Sequence, residues 1–102
     1  MRIEKLQDLV RRRKIIWSSH ARTRMTSRGI SRNDVVNCIL SGEVIENYPL
    51  AQPYPECLVY GKMINGKVIH VVVGTDNKYV YVVTTYFPSK SKFELDLKTR
   101  RR

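Results

Sequence analysis

Apolar residues in the first forty positions recur at three- and four-residue intervals, whereas from residue 57 onward they come in short β-branched runs. Ile3, Leu6 and Val10 share one side of a helix, so residues 2–13 read as a first helix that ends in the basic run Arg11-Arg12-Arg13. After a short extended stretch, IIWS, either Ser18 or Ser19 can N-cap a second helix, HARTRMTSR, which Gly29 is placed to close in a left-handed turn. Ser31 followed by Asp34 resembles a capping box with aspartate in place of the usual glutamate. Val35, Val36, Ile39 and Leu40 then supply the apolar face of a third helix over about 32–41, stopped by Gly42. EVIENY begins a strand, and the Pro- and Tyr-rich YPLAQPYPE is a loop.

The strongest local signal is the pair CLVYGKMI and KVIHVVVG around Asn65-Gly66, a hairpin whose two-residue turn requires positive φ at both positions. That loop length sets Lys62 across from Ile69, Gly61 from His70 and Tyr60 from Val71. A second turn around residues 75–78 returns the chain as YVYVVTTYF, with Gly74 opposite Tyr79. One face then carries Tyr60, Lys62, Ile69, Val71, Val82, Thr84 and Tyr86, and the other His70, Val72, Tyr81, Val83 and Thr85. Both faces mix apolar and polar residues, so which one the helices cover stays open. The tail SKSKFELDLKTRRR either adds a short strand through Phe93, Leu95 and Leu97 or frays. The predicted class is α+β: N-terminal helices packed on a small antiparallel sheet, in the order α-α-α-β-β-β-β, as one domain over residues 1–102.

Charge changes the picture. The chain carries 19 Lys and Arg against 9 Asp and Glu, a net charge of +10, yet 42% of its residues are hydrophobic, which favours a folded cationic domain over a disordered one. Residues 1–30 hold nine cations against two acids and residues 88–102 six against two, whereas residues 31–56 are net acidic. Clustered cations of this kind suit a phosphate-rich ligand, although a merely soluble basic protein has the same composition. No uninterrupted apolar stretch suggests a signal peptide or a membrane helix, so the expectation is a cytoplasmic protein without a membrane partner. An amphipathic surface helix over residues 3–14 is the weaker use of Ile3, Leu6, Leu9 and Val10, which core packing needs. Cys38 and Cys57 lack CxxC spacing, which speaks against zinc and for two buried thiols in a reducing compartment; no metal and no cofactor is expected. There is no Gly-rich phosphate loop, HExxH or GxSxG, which argues against nucleotide hydrolases, zinc proteases and serine hydrolases.

His20, Arg24 and Arg28 are spaced by four and stack along one side of the second helix, beside the apolar strip of Ala21 and Met25. Such a row is either a solvated surface or a phosphate grip, because a guanidinium fork takes two oxygens of one phosphate and imidazole moves a proton near neutral pH. RNA can be cut without a metal if a base activates the ribose 2′-hydroxyl, cations neutralise the phosphate and an acid protonates the leaving 5′-oxygen. His20, Arg24, Lys62 and Tyr86 supply those residue types as the candidate catalytic set. Arg22, Arg28, Tyr60, His70 and the Arg11, Arg12, Arg13 run are candidate nucleic-acid contacts. Two of these have plainer readings: His70, centred in an apolar strand, as a buried structural histidine, and Tyr86, near Pro88, as packing.

The segment SSHARTRMTSRGISRNDVVNCILSGEVIENY, continued through VYGKMINGKVIHVVV to VVTTYFP, resembles a domain-of-unknown-function family (DUF4258-like) marked by a His-Ala-x-x-Arg-Met-x-x-Arg-Gly-Ile helix and a closing Tyr-x-Pro strand. The likeness spans about residues 15–88 and leaves 89–102 as a basic tail; His20, Arg24, Met25, Arg28, Gly29, Gly42, Tyr86 and Pro88 carry it. That family is similar to a branch of the RelE/ParE toxin superfamily. The resemblance therefore implies a type II toxin that cleaves messenger RNA, on the ribosome or off it, without a metal, and that is neutralised by a co-expressed antitoxin with a zinc-ribbon or helix-turn-helix segment. The alternatives are a ParE-like gyrase poison and a module that binds nucleic acid or protein without catalysis. The C-terminal arginine-tyrosine arrangement of RelE-type enzymes is missing.

Overall fold

The computed structural model describes all residues 1–102, and the chain is α+β. Three helices, α1 (Ile3–Arg11), α2 (Ser19–Arg28) and α3 (Arg32–Ser41), accompany five strands: β1 (Ile15–Trp17), β2 (Glu43–Tyr48), β3 (Glu56–Lys62), β4 (Val68–Thr75) and β5 (Val80–Tyr86). They form one sheet in the order β1-β5-β4-β3-β2, antiparallel except that β1 runs parallel to β5. The short IIWS stretch is thus an edge strand, and the sheet is not purely antiparallel as expected.

Local signals form the helices where the sequence places them. Ser31 and Asp34 close a reciprocal capping box on α3, each accepting the other's backbone N–H at 3.0 Å. Gly29 ends α2 at φ 67°. Leu6, Leu9, Val10, Ala21, Met25, Val35, Cys38 and Ile39 meet Val59, Ile69, Val71, Val73, Val80 and Val82 in one buried core. Gly61 lets α3 lie directly on the sheet, since a Cβ there would run into the Cys38 carbonyl oxygen and sulfur. The helices therefore cover a single sheet face.

The Asn65-Gly66 hairpin forms, but with a different turn. Met63 donates to the Lys67 carbonyl at 2.8 Å, the loop is Ile64-Asn65-Gly66, and positive φ occurs at Gly66 (88°) but not at Asn65. This three-residue loop pairs Lys62 with Val68, Gly61 with Ile69 and Tyr60 with His70, one step away from the expected register. The reason is burial. A two-residue turn would join Tyr60 and Lys62 to Ile69 and Val71 under α3, whereas the longer loop gives that face Val59, Gly61 and Met63 instead.

In the second hairpin Thr75 pairs with Val80 and Gly74 with Tyr81, not Tyr79. Val83 is then an extra residue in β5, because Val73 faces Val82 while Val72 faces Thr84. Past this bulge the alternation reverses: Thr85 is buried, and Tyr86 pairs with His70. Thr84 and Tyr86 thereby share the face of His70 and Tyr60, not that of Val80 and Val82.

That second face is covered by the tail, which neither pairs as a strand nor frays. Residues 89–102 fold back as a strap stitched by a Phe93–Arg100 bridge, with Phe93 only 1% exposed against the His70 ring and Leu95 78% exposed. Of the three apolar tail residues proposed for a strand, Phe93 alone is buried.

Candidate functional site

β1 is three residues long, so beyond Val82 the outer edge of β5 has no strand partner and its carbonyls need other donors. α2 supplies them. The Ser18 hydroxyl, which caps the helix by accepting from Ala21 N, also donates to the Val83 carbonyl at 3.3 Å, and Arg28 Nη1 donates to the Thr85 carbonyl at 2.7 Å. Both ends of α2 are thereby pinned along β5, with Ala21 and Met25 in the core and the His20, Arg24, Arg28 side turned toward the end of the strand.

A groove of about 510 Å³ opens there between α2 and the strap. His20, Arg24 and Arg28 line one wall, Thr84, Tyr86 and Phe87 the floor, and Ser89, Lys92, Phe93 and Arg100 the other wall. Four guanidinium or ammonium side chains face it together with one imidazole, and no carboxylate does. Arg24, Arg28 and Lys92 make no ion pair, while Arg100 is forked onto Glu46 at 3.1 Å through both Nε and Nη2.

Beneath the groove, Tyr60, His70 and Tyr86 form a row across β3, β4 and β5. His70 is fully buried; its Nε2 lies 2.6 Å from the Leu97 carbonyl and its Nδ1 3.3 Å from the Tyr86 hydroxyl. Because a carbonyl only accepts, Nε2 carries the proton and Nδ1 accepts from the phenol. Burial lowers the His70 pKa, so the ring is neutral. Burial likewise raises that of Tyr86, with the Arg100 charge opposing, and the phenol stays protonated at neutral pH.

The structure thus brings together His20, Arg24, Arg28 and Tyr86 from the candidates, and separates the others. Lys62 is exposed at the end of β3, its carbonyl accepting from Asn37, and does not line the groove; the register shift leaves Lys67 as the hairpin lysine at the rim, with its ammonium 4.5 Å from the Phe87 ring centroid. His70 and Tyr60 are no platform for bases, because the strap covers them and the Lys98 ammonium sits 4.7 Å from the Tyr60 ring centroid. Arg22, two positions from His20 and Arg24, falls on another side of the helix. Arg11, Arg12 and Arg13 end α1; Arg12 pairs with Asp8 at 3.3 Å and borders a separate depression with Lys14 and Tyr79.

Sequence reasoning missed Thr84, Phe87, Ser89, Lys92, Phe93 and Arg100. The signal available was Phe93 as the one aromatic residue of the tail, together with that tail's basic charge and an acidic 43–56 segment able to hold it. Cys38 and Cys57 are buried thiols, pushed up to about 12 and about 11 by desolvation and remote from the groove. No three His, Cys, Asp or Glu side chains converge on one point, and no helix is long and apolar enough to cross a membrane.

No curated protein and no solved structure matches the chain. A family model described as "Domain of unknown function (DUF4258)" matches residues 17–87, from the last residue of β1 to the groove floor at Phe87. The chain belongs to the DUF4258 family.

Proposed function

We propose that this chain is an RNA endonuclease of the toxin kind, acting without a metal on messenger RNA in the cytoplasm and held in check by a co-expressed antitoxin. The observation that carries the proposal is the groove itself: Arg24, Arg28 and Lys92, none of them in an ion pair, converge with an imidazole and a phenol on a lining that holds no carboxylate, and Arg100 joins them from its pair with Glu46. Such a wall repels metal cations and attracts a phosphodiester.

Bound there, a phosphate is gripped by Arg24 and Arg28, and the developing charge on its oxygens is stabilised by the same groups. His20 takes the proton of the adjacent 2′-hydroxyl as that oxygen forms a bond to phosphorus. The P–O5′ bond breaks, and the 5′-oxygen receives the Tyr86 proton, which turns from His70 Nδ1 toward the groove, with the Glu46-paired Arg100 beside the phenolate left behind. The products are a 2′,3′-cyclic phosphate and a 5′-hydroxyl end.

The test pairs cells with purified protein. Expression in bacteria is expected to arrest growth, and purified protein to cut RNA in the presence of a chelator. His20→Ala and Arg24→Ala, both exposed positions, are expected to relieve the arrest and to slow cleavage about 100-fold or more at unchanged melting temperature. Arrest that persists in both folded variants discards the assignment. Arrest with intact messenger RNA and a DNA-damage response would point to a topoisomerase target instead.

A further inference from the structure

The family match ends at Phe87, yet the groove does not: four of its ten lining residues come from the strap that follows. The strap is held by contacts of several kinds. Phe93 is buried edge-on against His70 with ring centroids 4.6 Å apart, the Leu97 carbonyl accepts from His70 Nε2, Arg100 forks onto Glu46, and Lys98 pairs with Glu43 at 3.4 Å. Its own fold is closed by Glu94 N to Thr99 O at 2.7 Å and Arg101 N to Lys92 O at 2.8 Å, and Asp96 accepts from the Lys98 and Thr99 amides. The backbone on both sides of Lys92 is therefore fixed in front of α2.

The strap's charges divide by role. Lys98, Arg100 and Arg101 each meet a carboxylate, Glu43, Glu46 and Glu94 respectively, so half of the tail's six cations are paired within the fold. Lys92 lines the groove with no acidic partner, opposite Arg24 and Arg28. Cations fixed on two facing walls surround an anion from both sides. The volume of about 510 Å³ also lies within the roughly 300–1,000 Å³ usual for sites that hold one small molecule.

We infer that the strap, residues 89–102, is the second substrate-binding wall: Lys92 grips a phosphate of a single-stranded RNA whose one unpaired nucleotide enters between the strap and α2. A duplex, whose bases are paired and stacked inside it, offers no unpaired nucleotide to enter there. The inference rests on the reading of the groove as an RNA site, and it assigns substrate recognition to a segment outside the family's matched region.

The experiment measures binding of the full chain to a short fluorescent RNA made uncleavable by 2′-O-methylation, as anisotropy over a range of salt. Loss of one phosphate contact to a single strand flattens the log–log salt slope by about 0.7, equivalent to a weakening of about fivefold at 0.1 M salt. Lys92→Ala, at an exposed position, is expected to show both effects, and Lys90→Ala, in the same strap but outside the groove, neither. An RNA duplex of the same sequence is expected to compete at least tenfold less well than the single strand.

If Arg24→Ala weakens binding while Lys92→Ala behaves like Lys90→Ala, the strap is no binding wall and the inference falls, while the nuclease reading stands. If neither Arg24→Ala nor Lys92→Ala matters, the groove is not the RNA site and both readings fall. Binding that depends on Lys92 in a protein that never cleaves RNA retains the inference and removes the nuclease. Equal competition by the duplex overturns the single-strand assignment.

Discussion

His70 joins the strap to the sheet and the sheet to Tyr86, and it does so as a neutral ring. In the unfolded chain a histidine titrates near 6.5, and burial places the folded value lower. Between the two values the unfolded chain binds more protons than the folded one, so stability rises with pH there. The contribution is complete above about 6.5 and is lost as pH falls through the folded value. Urea midpoints measured from pH 7.5 down to 5 are therefore expected to decline in the native chain and to stay flatter in His70→Asn; parallel curves would show that His70 does not govern this range. The burial of His70 was legible in the sequence as the plainer reading of a histidine in an apolar strand. Its bond to a tail residue 27 positions away was not, because no local pattern encodes such a contact.

At the scale of elements, caps and helix stops were legible because they depend on residues three or four apart. Asp34 also reaches beyond its own helix: besides capping through Ser31, its Oδ1 accepts from the Ile64 amide at 3.1 Å and so fixes the hairpin loop to α3. Ser31→Ala is expected to cost about 1 kcal/mol of stability, the usual value of a cap. Asp34→Ala is expected to cost about 2–3 kcal/mol, since a charged acceptor of two backbone amides is lost. Equal losses in thermal unfolding would mean that the Ile64 bond contributes nothing. The hairpin itself was legible and its register was not. Loop length and the demands of the buried face compete there, and burying Val59, Gly61 and Met63 in place of Tyr60 and Lys62 decided the outcome.

For the molecule as a whole, a net charge of +10 overstates the cations available to a ligand. Glu43, Glu46 and Glu94 hold three of the tail's charges, and the Arg11–Arg13 run ends α1 beside a different depression from the groove. Replacing Arg11, Arg12 and Arg13 together with alanine lowers the net charge by three. That variant is nevertheless expected to keep the salt slope of RNA affinity, whereas Arg24→Ala alone flattens it by about 0.7. A flattening by the triple variant equal to or above that of Arg24→Ala would return the N-terminal run to the RNA-contact surface. Composition raised the expectation of an anionic ligand; only the fold showed which cations are left to meet one.

The bulge at Val83 decides which side of the sheet carries the Tyr86 hydroxyl. Regular pairing of the same residues, with no extra residue at Val83, would turn the phenol inward among Val71, Val80 and Val82, whereas deleting Val83 would keep Thr84 opposite Val72 and Tyr86 opposite His70 and leave the phenol where it is. Among related chains, a tyrosine separated by three residues from the last inward valine therefore faces the groove only where the strand is bulged, and one separated by two only where it is not, so the tyrosine and the bulge have to be read together.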